Sequence, residues 1–563
     1  MASEKAVRTR VAGRGRRGWA VLLALALLAA GGARAAPNGA GYRELVVVAT
    51  SDLHGWVTSR AVRPERRGRG LAHLAPLIAR LRAAHPELIL LDAGDAVTGS
   101  PDLELLPPGV TPPILALMGR LGYDALTLGN HDLERGRVAV ERWRAATPFS
   151  WLAANVTVTA PDGRAAPWLA PYAMVERAGL RVAVLGLTTP GIPIWLAPED
   201  RAGLAFGDMT AAARRWVPRL REDERADVVI GLFHAGLDGD YDRDVALRHG
   251  VPLPNAAGEV TDAVPGLDLV VAGHSHRLGP HRLEAGPEDY RVPILQPGAR
   301  GNAVAVARLG LRRRAGRWAV VSALRWTLRA AAEPAPLPPE VAAPLARVAE
   351  ALAAPTALRF TAEPTREAFA ACAGALSHTA ALAQPLPPGG TALTGGGAPF
   401  SLLPALWRRE FPRDVVAGPP VRRRDLHRWI AYDNALVLAA LTGRQIELLA
   451  APYARHLRGM GGRRSAVLFP GGLTLAPGEG DEPEGRVLGP AGRPLAPHRR
   501  YAVWLTDYHW NGGAGLARQA LLHPSQRLGT APVRLRAALL SRLTDPALSL
   551  PPACASFLAP AGR

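Results

Sequence analysis

Five short clusters of metal-binding side chain types punctuate the first half of this 563-residue chain: Asp52-Leu53-His54, Gly94-Asp95, Gly129-Asn130-His131-Asp132, Phe233-His234 and Gly273-His274-Ser275-His276. Carboxylate, imidazole and amide oxygen are ligands for borderline and hard divalent cations such as Zn, Mn, Fe or Co. The clusters hold no thiolate, which argues against a closed structural zinc site. Two cations held roughly 3.5–4 Å apart can clamp a phosphoryl group and activate a water for in-line attack. Any one cluster has a blander explanation, since an aspartate at a strand end commonly caps a helix and a single histidine commonly packs or faces solvent. The five in this order argue for one shared centre.

Such residues converge only if the backbone brings them together. Each cluster follows a short apolar run, and the strand candidates are Leu45–Ala49, Leu88–Asp92, Ala125–Leu128, Val182–Leu187, Val228–Phe233 and Leu267–Ala272. These runs lack strict alternation, as expected of strands buried on both faces. Helical patterns such as Leu71–Ala84 and Ile114–Leu121 lie between them, so the expectation is an α/β layered fold. In such sheets, ligands bind beyond the carboxyl ends of the strands, which is where all five clusters fall. The Ala- and Pro-rich stretch Ala331–Pro339 reads as a linker, followed by a helix from about Glu340 to Ala354. The expected divisions are a first domain over 41–330, a linker and connecting helix over 331–357, a second domain over 358–545, and an irregular Pro-rich tail over 546–563. A strand at Ala435–Leu441 and a helix from Arg444 are expected within the second domain.

The motifs TSDLHG, DAGDAVTGSP, LTLGNHD, GLTTPGIPIW, GLFHAG, VVAGHSHR and QPGARG resemble those of the calcineurin-like metallophosphoesterases. More narrowly, the chain is similar to the bacterial 5′-nucleotidase and 2′,3′-cyclic-nucleotide 2′-phosphodiesterase/3′-nucleotidase family, from about Glu44 to Leu543. The resemblance implies a four-layer α/β/β/α sandwich followed by an α/β substrate-binding domain, and two divalent metal ions of unspecified identity (Zn, Mn, Co or Fe). It implies that Asp52, His54 and His276 bind one metal, that Asp95 bridges, and that Asn130, His234 and His274 complete the second site. Asn130 would also face substrate. His131 would contact the phosphate and stabilise charge in the transition state. Glu134 stands where family members often have an aspartate, and Asp132 is nearby, so both are candidate catalytic partners of His131. In the second domain, Tyr432 and Tyr508 match the positions that sandwich the nucleobase, and Asn434 would bond the base edge. The 5′-nucleotidase branch has an arginine after its glycine-rich turn where this chain has GGGAPF, and an aspartate where this chain has Ala514. These departures favour 2′,3′-cyclic and 3′ substrates over 5′-nucleotides, with both left open. The implied activity is nucleotide catabolism and phosphate or nucleoside salvage. A thiosulfohydrolase-like hydrolase of another ester and a non-catalytic nucleotide-binding protein are the alternatives.

The N-terminus has the order of a secretory signal peptide: a basic start, the apolar run at residues 19–30, and small residues around Ala33–Ala36. The run is short for a membrane span. Residues 1–36 are therefore expected to be removed, leaving a monomeric periplasmic or secreted protein with no stable membrane span. Export by the general or the twin-arginine route is open. The net charge is +19, and a basic surface attracts anions. The arginines are scattered without interleaved aromatic residues, so a nucleic-acid polymer is not the expected partner; a small nucleotide is. Two cysteines, Cys372 and Cys554, could pair in an oxidising compartment or remain as thiols.

Overall fold

The computed structural model describes residues 41–560 apart from 59–69, 108, 160–161, 197, 199, 238–241, 281–291, 332, 362–365, 388, 395–397, 405–419, 430–433, 458–467, 477–485, 511–521, 546–548 and 556–557. The expected signal peptide, Tyr432 and the glycine-rich turns at 395–397 and 512–515 lie outside the described residues.

Two six-stranded sheets build the first half. One runs in the order Arg317–Arg329, Ala303–Arg314, Tyr42–Thr50, Ile89–Asp92, Ala125–Thr127, Ser150–Leu152. The other runs Leu278–Pro280, Ile294–Pro297, Leu269–Ala272, Val228–His234, Leu180–Thr188, Tyr172–Arg177. The strand Tyr42–Thr50 shows why its sequence is apolar throughout. Leu45, Val47 and Ala49 join Val182, Val184, Ile230 and Leu232 in a core between the sheets. Val46 and Val48 point the other way, into a core with the helices Leu71–Ala84 and Pro113–Leu121. A third core packs Ala183, Leu185 and Val229 against the helix Met209–Glu222. The result is a four-layer α/β/β/α sandwich, and each buried Leu or Val side chain contributes about 1.5–3 kcal/mol by leaving water. The helix Leu71–Ala84 follows from apolar residues at 71, 74, 78 and 81, and it ends before Pro86, which disfavours helical backbone at His85.

The linker does not swing freely. Ala331 N–H donates to His73 O (3.0 Å) and Ala335 N–H to Ala72 O (2.8 Å), which ties the segment along the helix Leu71–Ala84. The helix that follows, Pro339–Ala353, places Val341 in the core with the helices Leu71–Ala84 and Pro113–Leu121, and Val348 and Leu352 against Trp56, Leu105 and Leu106. The expected linker is thus bound to the first half by its own backbone.

Beyond it, a five-stranded sheet runs Leu468–Gly471, Phe400–Pro404, Arg500–Thr506, Ala435–Thr442, Arg527–Arg534. A three-stranded sheet joins Pro420–Arg422, Pro355–Phe360 and Leu558–Pro560. The tail expected to be irregular therefore departs from expectation. Leu558–Pro560 pairs antiparallel with Leu358–Phe360, and Cys554 is bonded to Cys372 in the helix Arg366–Leu382. Burial is the cause: Leu558 and Cys554 complete an apolar cluster with Leu376, Trp504 and Leu539. Among the described residues, no helix is long and apolar enough to cross a membrane.

Candidate metal centre

The sheets end where the ligand-type residues begin. Thr50, Asp92 and Leu126 lie in register across three parallel strands, and His234 closes the strand Val228–His234. The chain must turn sharply after each strand end. Asp52, His54, Asp95, His274 and His276 all adopt positive φ, between 51° and 69°, a region that Asp and His tolerate better than most residues. Loop approach is also close. A Cβ on Gly129 would lie 2.2 Å from both the backbone nitrogen and Oδ1 of Asp95, so only glycine fits there.

Asp52, His54 and His276 form one group, and Asp95, His234 and His274 a second; in each, one donor atom per residue lies within 4.8 Å of the others. Asn130 Oδ1 is 3.1 Å from His234 Nε2, which adds the amide oxygen to the second group. His54 Nδ1 donates to Thr98 O and His234 Nδ1 to Ala93 O, each at 2.7 Å. Those bonds fix both rings with Nε2 turned to the centre, the usual arrangement around a metal-bound imidazole. His54 Nε2 and His276 Nε2 meet at 2.9 Å. The donor set, its tautomers and its convergence fit two divalent cations. Calcineurin-like phosphoesterases use such cations, and the two groups are the candidate positions for them here.

The charges point the same way. Burial pushes Asp52 up to about 8, and pushes His274 down to about 3 and His276 to about 4. For His234, burial opposes protonation, but the Asp95 and Asp52 carboxylates outweigh it and raise it to about 9. Burial likewise opposes the charge on Asp95, and His234 and His131 hold it below the usual carboxylate range. In effect, protons compensate the buried carboxylates, which is the task a bound cation takes over.

The two carboxylates beside His131 have different surroundings. Glu134 Oε1 is 2.7 Å from His131 Nδ1. Asp132 faces the other way and accepts from the backbone N–H groups of Asp95, Val97 and Gly129, each at 2.9 Å. Glu134 is therefore the carboxylate that orients His131, and Asp132 is a clamp between the loops bearing Asp95 and Asn130. His131 N–H donates to Asp95 Oδ1 at 2.8 Å, and its ring lies 5.1 Å from that of His54.

In the second half, Asn434 precedes the strand Ala435–Thr442, and its side chain bonds Asp507. Tyr508 follows at the end of the strand Arg500–Thr506, 44% exposed. Arg534 acts electrostatically on both Asp507 and Glu134, so Asn434, Asp507 and Tyr508 lie on the side of the second half that faces Glu134. An Arg536–Glu104 ion pair, buried at the arginine and half-buried at the glutamate, also crosses between the halves. Sequence reasoning assigned no role to Trp195, whose ring lies 5.0 Å from that of His274, although it sits within the GIPIW motif.

A family model described as calcineurin-like phosphoesterase matches residues 45–278. The chain is 27% identical over 304 residues to a 2′,3′-cyclic-nucleotide 2′-phosphodiesterase/3′-nucleotidase of Yersinia enterocolitica, covering 50% of this chain and 45% of that protein. It is 30% identical over 269 residues to a 5′-nucleotidase of Vibrio cholerae, covering 45% of each. The matched stretch thus spans under half the length of these curated relatives. A 5′-nucleotidase precursor from Thermus thermophilus has a similar fold, with a TM-score of 0.60 at 21% identity over 89% of this chain and 96% of that one. The match to the calcineurin-like phosphoesterases thus falls within the four-layer sandwich and takes in all the residues of the two ligand groups.

Proposed function

We propose that this protein is a two-metal phosphohydrolase that removes phosphate from nucleotides, acting in the periplasm or outside the cell after removal of residues 1–36. The observation that carries the reading is the pair of three-residue ligand groups lying beside a histidine that Glu134 holds in place. When bound, two divalent cations would polarise the phosphoryl group and lower the pKa of an attacking water. Asp52, His54 and His276 would hold one cation; His234, His274 and the Asn130 amide would hold the other; Asp95 would serve both. His131 would donate a hydrogen bond to a phosphoryl oxygen, its ring fixed by Glu134 so that no reorientation is needed as charge develops. Zn, Mn, Fe and Co all suit this donor set.

Asn434, Tyr508 and Tyr432 would take the nucleobase, the rings by stacking and the amide by its edge. GGGAPF and Ala514 favour 2′,3′-cyclic and 3′ substrates over 5′-nucleotides. The test is phosphate release from the mature protein with added Mn or Co, on 5′-AMP, 3′-AMP, 2′,3′-cyclic AMP and a non-nucleotide ester. The cyclic substrate needs a coupled readout, because ring opening alone frees no phosphate. Metal-dependent turnover led by 3′-AMP and the cyclic nucleotide is expected. Silence on every nucleotide with metal bound would refute the substrate class and point to another ester.

A further inference from the structure

Three of the rings at the centre are steered by a hydrogen bond at Nδ1: His54 by the carbonyl of Thr98, His234 by that of Ala93, and His131 by Glu134, each at 2.7 Å. His274 is steered differently. Its backbone N–H donates to both oxygens of Asp52, at 3.0 and 3.2 Å, which places its backbone but not its ring. Among the described residues, no hydrogen bond reaches either ring nitrogen of His274. The ring meets two other rings instead. His234 stands edge-on, with 5.1 Å between centroids and 72° between planes, and Trp195 leans over it at 5.0 Å and 35°.

The loop around Trp195 is built to hold the indole there. After the strand Leu180–Thr188, Thr189 donates its N–H to the carbonyl of His234 (2.9 Å) and its hydroxyl to the carbonyl of Pro254 (2.8 Å). The N–H of Gly191 donates back to the Thr189 hydroxyl oxygen at 3.1 Å. The short helix Ile192–Trp195 follows, and its last side chain folds back on Gly191. A Cβ at 191 would lie 2.6 Å from Trp195 Cη2 and 2.9 Å from Pro254 Cβ. Glycine is needed here to make room for the indole, since its φ of −74° is open to any residue. Ile192 and Leu196 on either side of the turn are buried in the core that Trp195 also packs against. The ring is thus carried by the same loop that grips the backbone of His234.

An imidazole free to turn about its Cβ–Cγ bond spends part of its time with the ligating nitrogen pointed away, and a cation must remove that freedom on binding. Carbonyl acceptors remove it beforehand for His54 and His234. An aromatic neighbour can do so by contact, because rings prefer tilted and edge-to-face arrangements. We propose that Trp195 is a positioning residue that sets the ring of His274 and thereby the affinity of the Asp95–His234–His274 group for its cation. The proposal rests on the reading of the two groups as cation sites. It makes those sites respond differently: loss of the indole weakens the group holding His274 and leaves Asp52–His54–His276 unchanged. A tryptophan that only filled space beside Ile192 and Leu196 would affect stability and leave both affinities alone.

Trp195→Phe keeps a ring face, and Trp195→Leu keeps apolar bulk alone. Calorimetric titration of the metal-free full chain with Mn would measure the two affinities, and electron paramagnetic resonance would report whether the two ions form a coupled pair. An aromatic contact of this kind corresponds to roughly two- to tenfold in a binding constant. Trp195→Leu should weaken one Mn site by that factor, leave the other unchanged and lower the coupled signal at two equivalents; Trp195→Phe should recover most of the loss. The loss should persist in a His276→Ala background, which cripples the other group, and its disappearance there would overturn the assignment to His274. Equal weakening of both sites in Trp195→Leu, or of neither, would overturn the proposal. If Trp195→Leu does not fold, Gly191→Ala decides: it keeps the indole but crowds it, and unchanged affinities in that variant would overturn the proposal too. A wild-type chain that binds fewer than two Mn ions would instead remove the two-metal reading, and the proposal with it.

Discussion

Replacing Glu134 by Gln and Asp132 by Asn should separate two neighbouring carboxylates by the kind of damage each causes. Glu134 makes one charged hydrogen bond, 2.7 Å to His131 Nδ1, with the two side chains 21% and 29% exposed. Burial alone would raise the Glu134 pKa, but His131 holds it below its ordinary value, so the carboxylate is ionised across the neutral range. Hydrogen bonds to charged groups contribute about 1.5–3 kcal/mol, and each 1.4 kcal/mol is a factor of about ten in rate. Glu134→Gln should therefore lower kcat by about ten- to a hundredfold, with metal content and Tm unchanged, since nothing else in the centre depends on that oxygen. Asp132 accepts three backbone N–H groups. Asparagine there offers one acceptor oxygen and turns an amide NH2 toward N–H donors. Losing one or two of those bonds should cost about 2–4 kcal/mol of stability and loosen the Asp95 loop, seen as a lower Tm and reduced metal content. Steady-state kinetics, metal analysis and thermal unfolding on both variants make the comparison. Glu134→Gln with kcat within twofold of wild type, or Asp132→Asn with intact stability and the larger loss of kcat, would refute the division of roles.

Gly129→Ala should displace the Asp95 loop, given the 2.2 Å approach to Asp95, and metal analysis of the purified variant should show substoichiometric loading. Reduction of the Cys372–Cys554 bond, which closes a loop of 182 residues, should lower stability by up to about 5 kcal/mol on the chain-entropy account; unfolding with and without reductant measures it. Burial, with the Arg536 charge adding to it, pushes His427 down to about 2. The folded state therefore refuses a proton that the unfolded chain accepts below pH 6.5. Stability from this source is intact above that pH and falls by about 1.4 kcal/mol per unit as pH drops toward the folded value. His427→Gln should flatten the acid limb of the stability curve measured in denaturant.

Much of the first half was legible because strand ends and chemistry coincide. Val228–His234 and Leu269–Ala272 are apolar runs that stop at a ligand-type residue or just before the GHSH segment, and both features are one-dimensional. The two longest strands, Ala303–Arg314 and Arg317–Arg329, escaped notice. Arg317–Arg329 is the edge of its sheet and Ala303–Arg314 lies between it and Tyr42–Thr50, and arginines with aliphatic stems lying along the surface break the hydrophobic signal. Glu134 and Asp132 could not be ranked from spacing, because the short 3-10 turn His131–Leu133 sends one carboxylate to the imidazole and the other to the backbone. The carbonyls of Thr98 and Ala93 that orient His54 and His234 carry no side-chain signature at all. In the second half, glycine and proline punctuation gave turns but not strand order. The order there depends on pairings between distant segments, such as Phe400–Leu402 with Val503–Leu505.

The pairing of Leu558–Pro560 with Leu358–Phe360 has a consequence for synthesis. Every strand of the first sandwich lies between Tyr42 and Arg329, so that part can close while later residues are still being made. The three-stranded sheet of the second half instead needs its last partner some 200 residues downstream, and until then the cluster around Leu358 and Cys372 lacks the cover of Cys554 and Leu558. During that interval the nascent chain presents an apolar face and a single thiol. A C-terminal fusion or a short truncation would therefore act on folding yield before it acted on the finished protein.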